Sequence, residues 1–155
     1  MTIVLDSSVR ELISDPATVK VIATLDEHGV PNVVAKGSLQ IDEDGNLVHL
    51  ELIERSRTNR NLVRSLWHDR VVSILLVGRD GSSYQILGLP LRVHVSGPVF
   101  QKHHEAVRSL LGDVDLSGVW VIQPRKVVDQ AWKARSASQE HLGTGLLHLD
   151  RIIGG

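Results

Sequence analysis

No cysteine occurs in the 155 residues, which excludes disulfides, thiol nucleophiles and cysteine-ligated metals. Aromatic residues make up only 3%, so the core has to be aliphatic. The three tryptophans are therefore among the few rings able to stack on a flat ligand. Neither sign of charge dominates. With 17 Lys+Arg against 18 Asp+Glu and a formal net charge of -1, there is no global electrostatic reason to expect a nucleic acid or an anionic membrane as partner. No apolar run is long enough to span a bilayer, and the N-terminus lacks the basic, apolar, small-residue pattern of an export signal. The compartment expected is the cytoplasm. Also missing are His-Glu-x-x-His, the Gly-x-Ser-x-Gly elbow and the Walker loop. There are eight histidines, but His103 and His104 are adjacent on an expected helix and diverge. His49-Leu50-Glu51 has none of the cysteines a zinc deaminase needs. No metal site and no catalytic side-chain constellation is expected.

What is present reads as one ordinary globular domain, with 42% hydrophobic and 23% charged residues. Ser8-Val-Arg-Glu11 has the form of a capping box opening a short helix that ends at Asp15-Pro16. Residues 18–25 alternate as a strand through Val19, Val21, Ala23 and Leu25. After a turn at His28-Gly29, Pro31 to Ser38 returns as the hairpin partner. Leu39-Gln-Ile41 continues, Asp42 to Asn46 turns again, and 47–53 is the next strand. Residues 70–77 form a nearly continuous apolar run, expected as a strand buried on both faces. Tyr84 to Phe100 reads as one extended stretch interrupted at Gly88-Leu-Pro90, where the donor missing at Pro90 predicts a bulge, bend or break. A helix is expected over 102–112, with Ala106, Val107, Leu110 and Leu111 inward. The last strand runs from 118 to 128, broken by Pro124. The domain spans 1–132. Residues 133–155 form a C-terminal extension, polar and linker-like over 133–139, then packed on the domain or touching a second chain.

Between the strand at 47–53 and the apolar spacing of Leu62, Val63, Leu66 and Trp67 lies Glu54-Arg-Ser-Arg-Thr-Asn-Arg-Asn61. A strand here feeds a helix, and the helix's first turn carries unpaired N–H groups and the positive end of its dipole. Arg57, Thr58, Asn59 and Asn61 gather at that point, which makes a phosphate cradle. The plainer alternative is a Ser56 or Thr58 cap followed by a solvated arginine face. In the same way His49 and Glu51 form either an acid/base pair or, more plainly, a solvated polar face. Trp67 and Trp120 read as core residues.

The order of elements and the run Ser56-Arg-Thr-Asn-Arg-Asn-Leu62 resemble the split-barrel, flavin mononucleotide-binding proteins related to pyridoxamine 5'-phosphate oxidase. The resemblance covers roughly residues 7–132. It implies a mainly β fold, a split β-barrel of six to seven antiparallel strands with about three peripheral helices. It further implies flavin mononucleotide (FMN) held between the subunits of a homodimer, with Ser56, Arg57, Thr58 and Asn61 around the phosphate. The hairpin Pro31-Asn-Val-Val-Ala-Lys-Gly37 is similar to the family's strand along the flavin edge, bringing Val34 to the ring and Lys36 to the phosphate. Leu52 and Ile53 meet the cofactor from the end of the preceding strand. Leu91 to Gly97 is similar to a strand on which the family often has a cofactor-facing glutamine. Arg92 takes that place here, and a fixed positive charge favours an anionic reduced ring. Trp132 matches an aromatic brought over the flavin by the second subunit.

Thr58 stands where the family commonly has lysine, and the family's substrate-gripping arginine and histidine motif is not placed. The activity implied is thus that of an FMN-dependent oxidoreductase with a small-molecule donor or substrate, rather than vitamin B6 oxidation. The alternatives are a non-enzymatic flavin carrier or sensor, a haem-binding split barrel, and a deazaflavin-dependent reductase.

Overall fold

The computed structural model describes residues 3–141. The elements are α1 (Ser7–Ser14), β1 (Val19–Leu25), β2 (Pro31–Ala35), β3 (Gln40–Ile41), β4 (Leu47–Glu51), α2 (Arg57–Trp67), β5 (Val72–Val77), β6 (Ser83–His94), α3 (Gly97–Leu111), β7 (Gly118–Asp129) and α4 (Trp132–His141). All seven strands join one antiparallel sheet in the order β2-β1-β5-β6-β7-β4-β3. The sheet curls into a half-barrel, so the fold is mainly β, as expected.

Two tight turns share one design. Asp26 accepts from the amides of His28 and Val30, and Asp42 from those of Asp44 and Asn46. Each turn closes through a glycine of positive φ, Gly29 or Gly45. The curled sheet wraps Ile22, Ile74, Leu76, Ile86, Trp120 and Ile122, with Val9, Ile13 and Leu62 brought in by α1 and α2. A second, smaller cluster of Val48, Leu116 and Val119 lies on the other face of β4 and β7.

Several expectations are corrected. The α1 cap is Asp6, whose carboxylate accepts from the Val9 amide, so the helix starts ahead of the Ser8–Glu11 box. β7 runs on through Pro124, where a break was expected, while at Pro90 β6 continues with a bulge, one of the outcomes expected there. Gly88 pairs with Pro124, and register shifts at Leu87/Gly88 and Pro90/Arg92 absorb the missing donors in bulges. α3 begins at Gly97 because Pro98 occupies its first turn, where no N–H is required. Of its expected inward face only Val107 is buried, and Leu110 is 83% exposed. β5 buries Val72, Ile74 and Leu76, while Ser73, Leu75 and Val77 on its outer side are half-buried. The polar stretch from 133 is the body of α4, which makes four helices among the described residues. The packing expected of the tail beyond 141 lies outside the described residues. No helix among the described residues is long and apolar enough to cross a membrane.

Gly88 is fixed by crowding. A Cβ built there would stand 2.5 Å from the Cγ2 of Ile122, itself fully buried. Gly88→Ala should lower stability by about 1–3 kcal/mol, the usual range for overpacking a core. Chemical denaturation measures it, and an unchanged midpoint would mean that Ile122 moves aside freely.

Candidate functional site

The strand-to-helix junction is held from several sides. The Ser56 amide donates to the Ile53 carbonyl at 3.0 Å, closing the turn after β4. The Ser56 hydroxyl caps α2 by accepting from the Asn59 amide at 3.0 Å. Asn59 works in two directions: its amide nitrogen donates to the Glu54 carbonyl at 2.9 Å, and its oxygen accepts from the Trp120 indole at 2.8 Å. One turn on, Asn61 donates to the Thr24 hydroxyl of β1 at 3.0 Å. The buried Thr58 hydroxyl accepts from Asn32 of β2 at 3.3 Å. The first turn of α2 is therefore tied to β1, β2 and β7.

Against this fixed frame, Arg57 is exposed and makes no ion pair or hydrogen bond among the described residues. It opens into a groove of about 360 Å³ between α2 and the β1–β2 hairpin, lined among others by Asp26, Asn32, Arg60, Arg64 and Trp67. Arg64 is 3.3 Å from Glu27 across the groove. Asp26 is held below the usual carboxylate range chiefly by the Val30 amide. An exposed guanidinium beside unpaired helix N–H groups suits a phosphate dianion. The exposed position of Trp67, 77% accessible, corrects its assignment to the core. The buried stripe of α2 is Thr58, Asn61, Leu62 and Ser65, which turns position 67 outward.

His49 and Glu51 do not form a solvated face; each is 1% exposed. β4 is interior to the sheet, and the segment after β2 folds over it. The Ser38 hydroxyl accepts from the Leu50 amide at 3.1 Å and lies 3.3 Å from His49 Nδ1. His49 Nε2 is 3.2 Å from Glu51 Oε2, which is also 3.5 Å from the Lys36 ammonium. The other oxygen of Glu51 accepts from the Ile53 amide at 3.1 Å. Burial opposes ionisation of Glu51. It is outweighed by the His49 hydrogen bond, the Ile53 amide and the charges of His49 and Lys36, which bring the carboxyl down to about 2. Nearby Lys20 is lowered by its burial, with Asp15 acting against the shift.

The expected site residues thus fall into separate groups. Ser56, Arg57, Thr58 and Asn61 come together at the α2 junction, with β2 alongside through Asn32. Val34 is half-buried on β2, and Lys36 just beyond it sits on Glu51. Leu52 packs against the Val48 cluster, while Ile53 is exposed. Arg92 lies elsewhere. It pairs with Val121, on the face of β7 opposite Trp120, and lines a second groove of about 490 Å³ with His94 and His103. Trp132, exposed, opens α4. The reading from sequence omitted Asn32 and Thr24 as partners of α2. Their signal was local and weak, an amide after Pro31 and a hydroxyl on an apolar strand.

No family model matches the chain, and no curated protein matches it by sequence. Solved structures do match. HupZ of Group A Streptococcus superposes with a TM-score of 0.67 at 18% identity, covering 83% of this chain and 95% of that one. An FMN-binding protein from Syntrophomonas wolfei subsp. wolfei gives 0.64 at 13%, covering 79% and 83%. The haem storage protein HutZ from Vibrio cholerae gives 0.59 at 15%, covering 82% and 95%. An F420 reductase and proteins described as candidate pyridoxamine 5'-phosphate oxidases share the arrangement too. The chain has the split-barrel fold of these proteins.

The buried carboxylate gives a testable pH dependence. With a folded pKa of about 2 against an ordinary 4.5, Glu51 contributes stability that is present above pH 4.5 and lost as the pH falls towards 2. Glu51→Gln should cost about 1–3 kcal/mol at neutral pH, through weakened bonds to His49 and Lys36. Urea titrations should show that difference shrinking between pH 4.5 and 2. A difference independent of pH would mean that the carboxylate is not charged in the fold.

Proposed function

We propose that this protein is an FMN-binding oxidoreductase that works as a homodimer, with the flavin phosphate on the first turn of α2. The observation that carries the reading is Arg57, an exposed guanidinium without a partner among the described residues, at a helix N-terminus whose frame is held by Trp120, Asn32 and Thr24. Ser56 orders the turn, the amides of Arg57 and Thr58 point outward without intrahelical partners, and Arg57 supplies the charge. When bound, the flavin accepts and passes on hydride or electrons. The chain holds its phosphate, shapes the pocket and sets the charge near the ring. A phosphate cradle favours a phosphate-bearing cofactor over haem, which has none; a deazaflavin would use the same cradle, and FMN is the one proposed.

Arg57→Ala should weaken FMN binding at least tenfold, the loss of about 1.5–3 kcal/mol expected for a charge-assisted contact. The assay is the visible spectrum and fluorescence of purified protein titrated with FMN. A Soret band in place of the two flavin bands would replace this reading with haem binding, and unchanged affinity in the variant would remove the cradle.

A second copy is proposed for two reasons. Within one chain Arg92 faces away from α2, so it can serve the same flavin only from a partner subunit. Moreover the outer face of β2-β1-β5 is apolar, with Val19 and Val33 more than half exposed and Val21, Ala23 and Leu75 half-buried around them. That face is the proposed interface. Val33→Glu should give a monomer by light scattering and weaken FMN binding with it. A dimer that persists with full FMN affinity would move the interface elsewhere.

A further inference from the structure

The groove along α2 is longer than a phosphate cradle needs. Arg57, Arg60, Arg64 and Trp67 line it at helical spacing and so form one stripe. Arg64 is balanced by Glu27 at 3.3 Å, and the Asp26 carboxylate is taken up by the amides of His28 and Val30. Arg60, like Arg57, has no carboxylate partner among the described residues. Seven residues further along the helix, about 10 Å at 1.5 Å per residue, stands the indole of Trp67. In a chain with 3% aromatic residues, a tryptophan left 77% exposed at the end of an arginine-lined groove is a stacking platform without a visible ring to stack on.

We propose that this outer half of the groove binds a nucleoside phosphate, with its phosphate on Arg60 and its base against Trp67. The guanidinium offers paired donors to phosphate oxygens, and an indole face takes any base without reading its identity. A nucleoside diphosphate covers the two helical turns between them, and Val63 on the groove wall gives the sugar an apolar side. The proposed site shares this groove with the cradle at Arg57, which lies one turn nearer the helix start. Binding here does not depend on the flavin reading. Only the further step, that the nucleotide is the electron donor, rests on it. A small ligand is favoured over nucleic acid, because the net charge of -1 and the carboxylates of the hairpin leave no continuous basic track.

The test is tryptophan fluorescence of the full chain titrated with ADP, alongside pyrophosphate and ribose 5-phosphate as ligands lacking the base. ADP should quench the exposed indole, and Trp67→Phe should abolish that quench while Trp132→Phe keeps it. Arg60→Ala should weaken ADP at least tenfold, and the two ligands without a base should bind at least tenfold more weakly than ADP. FMN affinity, measured on the same variants by flavin fluorescence, should be unchanged in Arg60→Ala and Trp67→Phe. The proposal is overturned if ADP gives no quench at millimolar concentration, or if Arg60→Ala loses FMN as strongly as ADP, since the groove would then be one flavin site. It is also overturned if Trp67→Phe dissociates the dimer, which makes the indole a contact between copies, or if a single-stranded oligonucleotide displaces ADP at far lower concentration. ADP binding in a protein that ignores FMN would sink the flavin reading and leave this one standing.

Discussion

The hydrogen bond from the Trp120 indole to Asn59 joins the inside of the half-barrel to the first turn of α2. Trp120 is fully buried and could not leave its N–H unpaired without cost. Asn59 answers that need, and in doing so also holds the Glu54 carbonyl and closes the Ser56 cap. One buried donor therefore helps fix where α2 starts, and the start of α2 is where the groups proposed to hold the phosphate stand. Thr58 and Asn61 extend the same logic. Both are polar groups on the buried stripe of α2, and each is satisfied by a strand residue, Asn32 or Thr24. The frame is held by neutral hydrogen bonds, so Arg57 and Arg60 of the same helix are not drawn into it, while Arg64 pairs with Glu27.

The other polar interior, Ser38-His49-Glu51-Lys36, shows a different balance. Burying a carboxylate is unfavourable unless it is paired and fully hydrogen-bonded. Glu51 meets that condition through His49, Lys36 and the Ile53 amide. Such a network adds less to stability than apolar packing of the same volume would. What it does is specify which way the short segment between β2 and β3 folds, because Ser38 and Lys36 have partners only in this arrangement. It also lies directly upstream of the junction, since the Ile53 amide bound to Glu51 and the Ile53 carbonyl bound to Ser56 belong to one residue. The interior charge and the proposed phosphate cradle are thus mechanically adjacent.

The parts of the fold legible in the sequence were those set by local chemistry. Asp26 with Gly29 and Asp42 with Gly45 mark their turns by side chain and φ requirement alone, and Ser56 marks a helix start. Misreadings arose where a long-range partner decides. Pro124 looks like a strand break until Gly88 is seen opposite it, whereas the bulge at Pro90 is one of the outcomes its missing donor announces. His49 and Glu51 alternate with apolar residues as a solvated face would. That face is in fact the inside of the curled sheet, where His49 stands opposite buried Trp120 and shares its side of β4 with Leu47. Trp67 follows the apolar spacing of Leu62 and Val63, yet α2 buries Thr58, Asn61 and Ser65 instead of its largest side chain. At the candidate site, Arg57 and its neighbours were legible because a strand-to-helix junction is a local feature. The partners that hold it, Asn32, Thr24 and Trp120, come from distant strands and were not.

The outward placement of apolar residues on β1 carries the argument one step further. In β1 the residues turned into the barrel are Lys20, Ile22 and Thr24, and those turned out are Val19, Val21, Ala23 and Leu25. A strand of a solitary barrel would place these the other way round, because the hydrophobic effect rewards burial of the valines and penalises burial of a lysine. Register leaves no freedom to correct it, since a shift of one residue would turn every side chain on the strand over. Ile22 would then leave the core and Thr24 would lose Asn61. The sequence of β1 is thus a compromise between an interior that needs Thr24 to hold α2 and an exterior that is apolar over several strands. The proposed subunit contact would cover the outer side of the strand as α2 covers part of its inner side. For this reason the proposed phosphate cradle, held through Thr24, and the proposed subunit contact on the outer face both depend on the same seven residues.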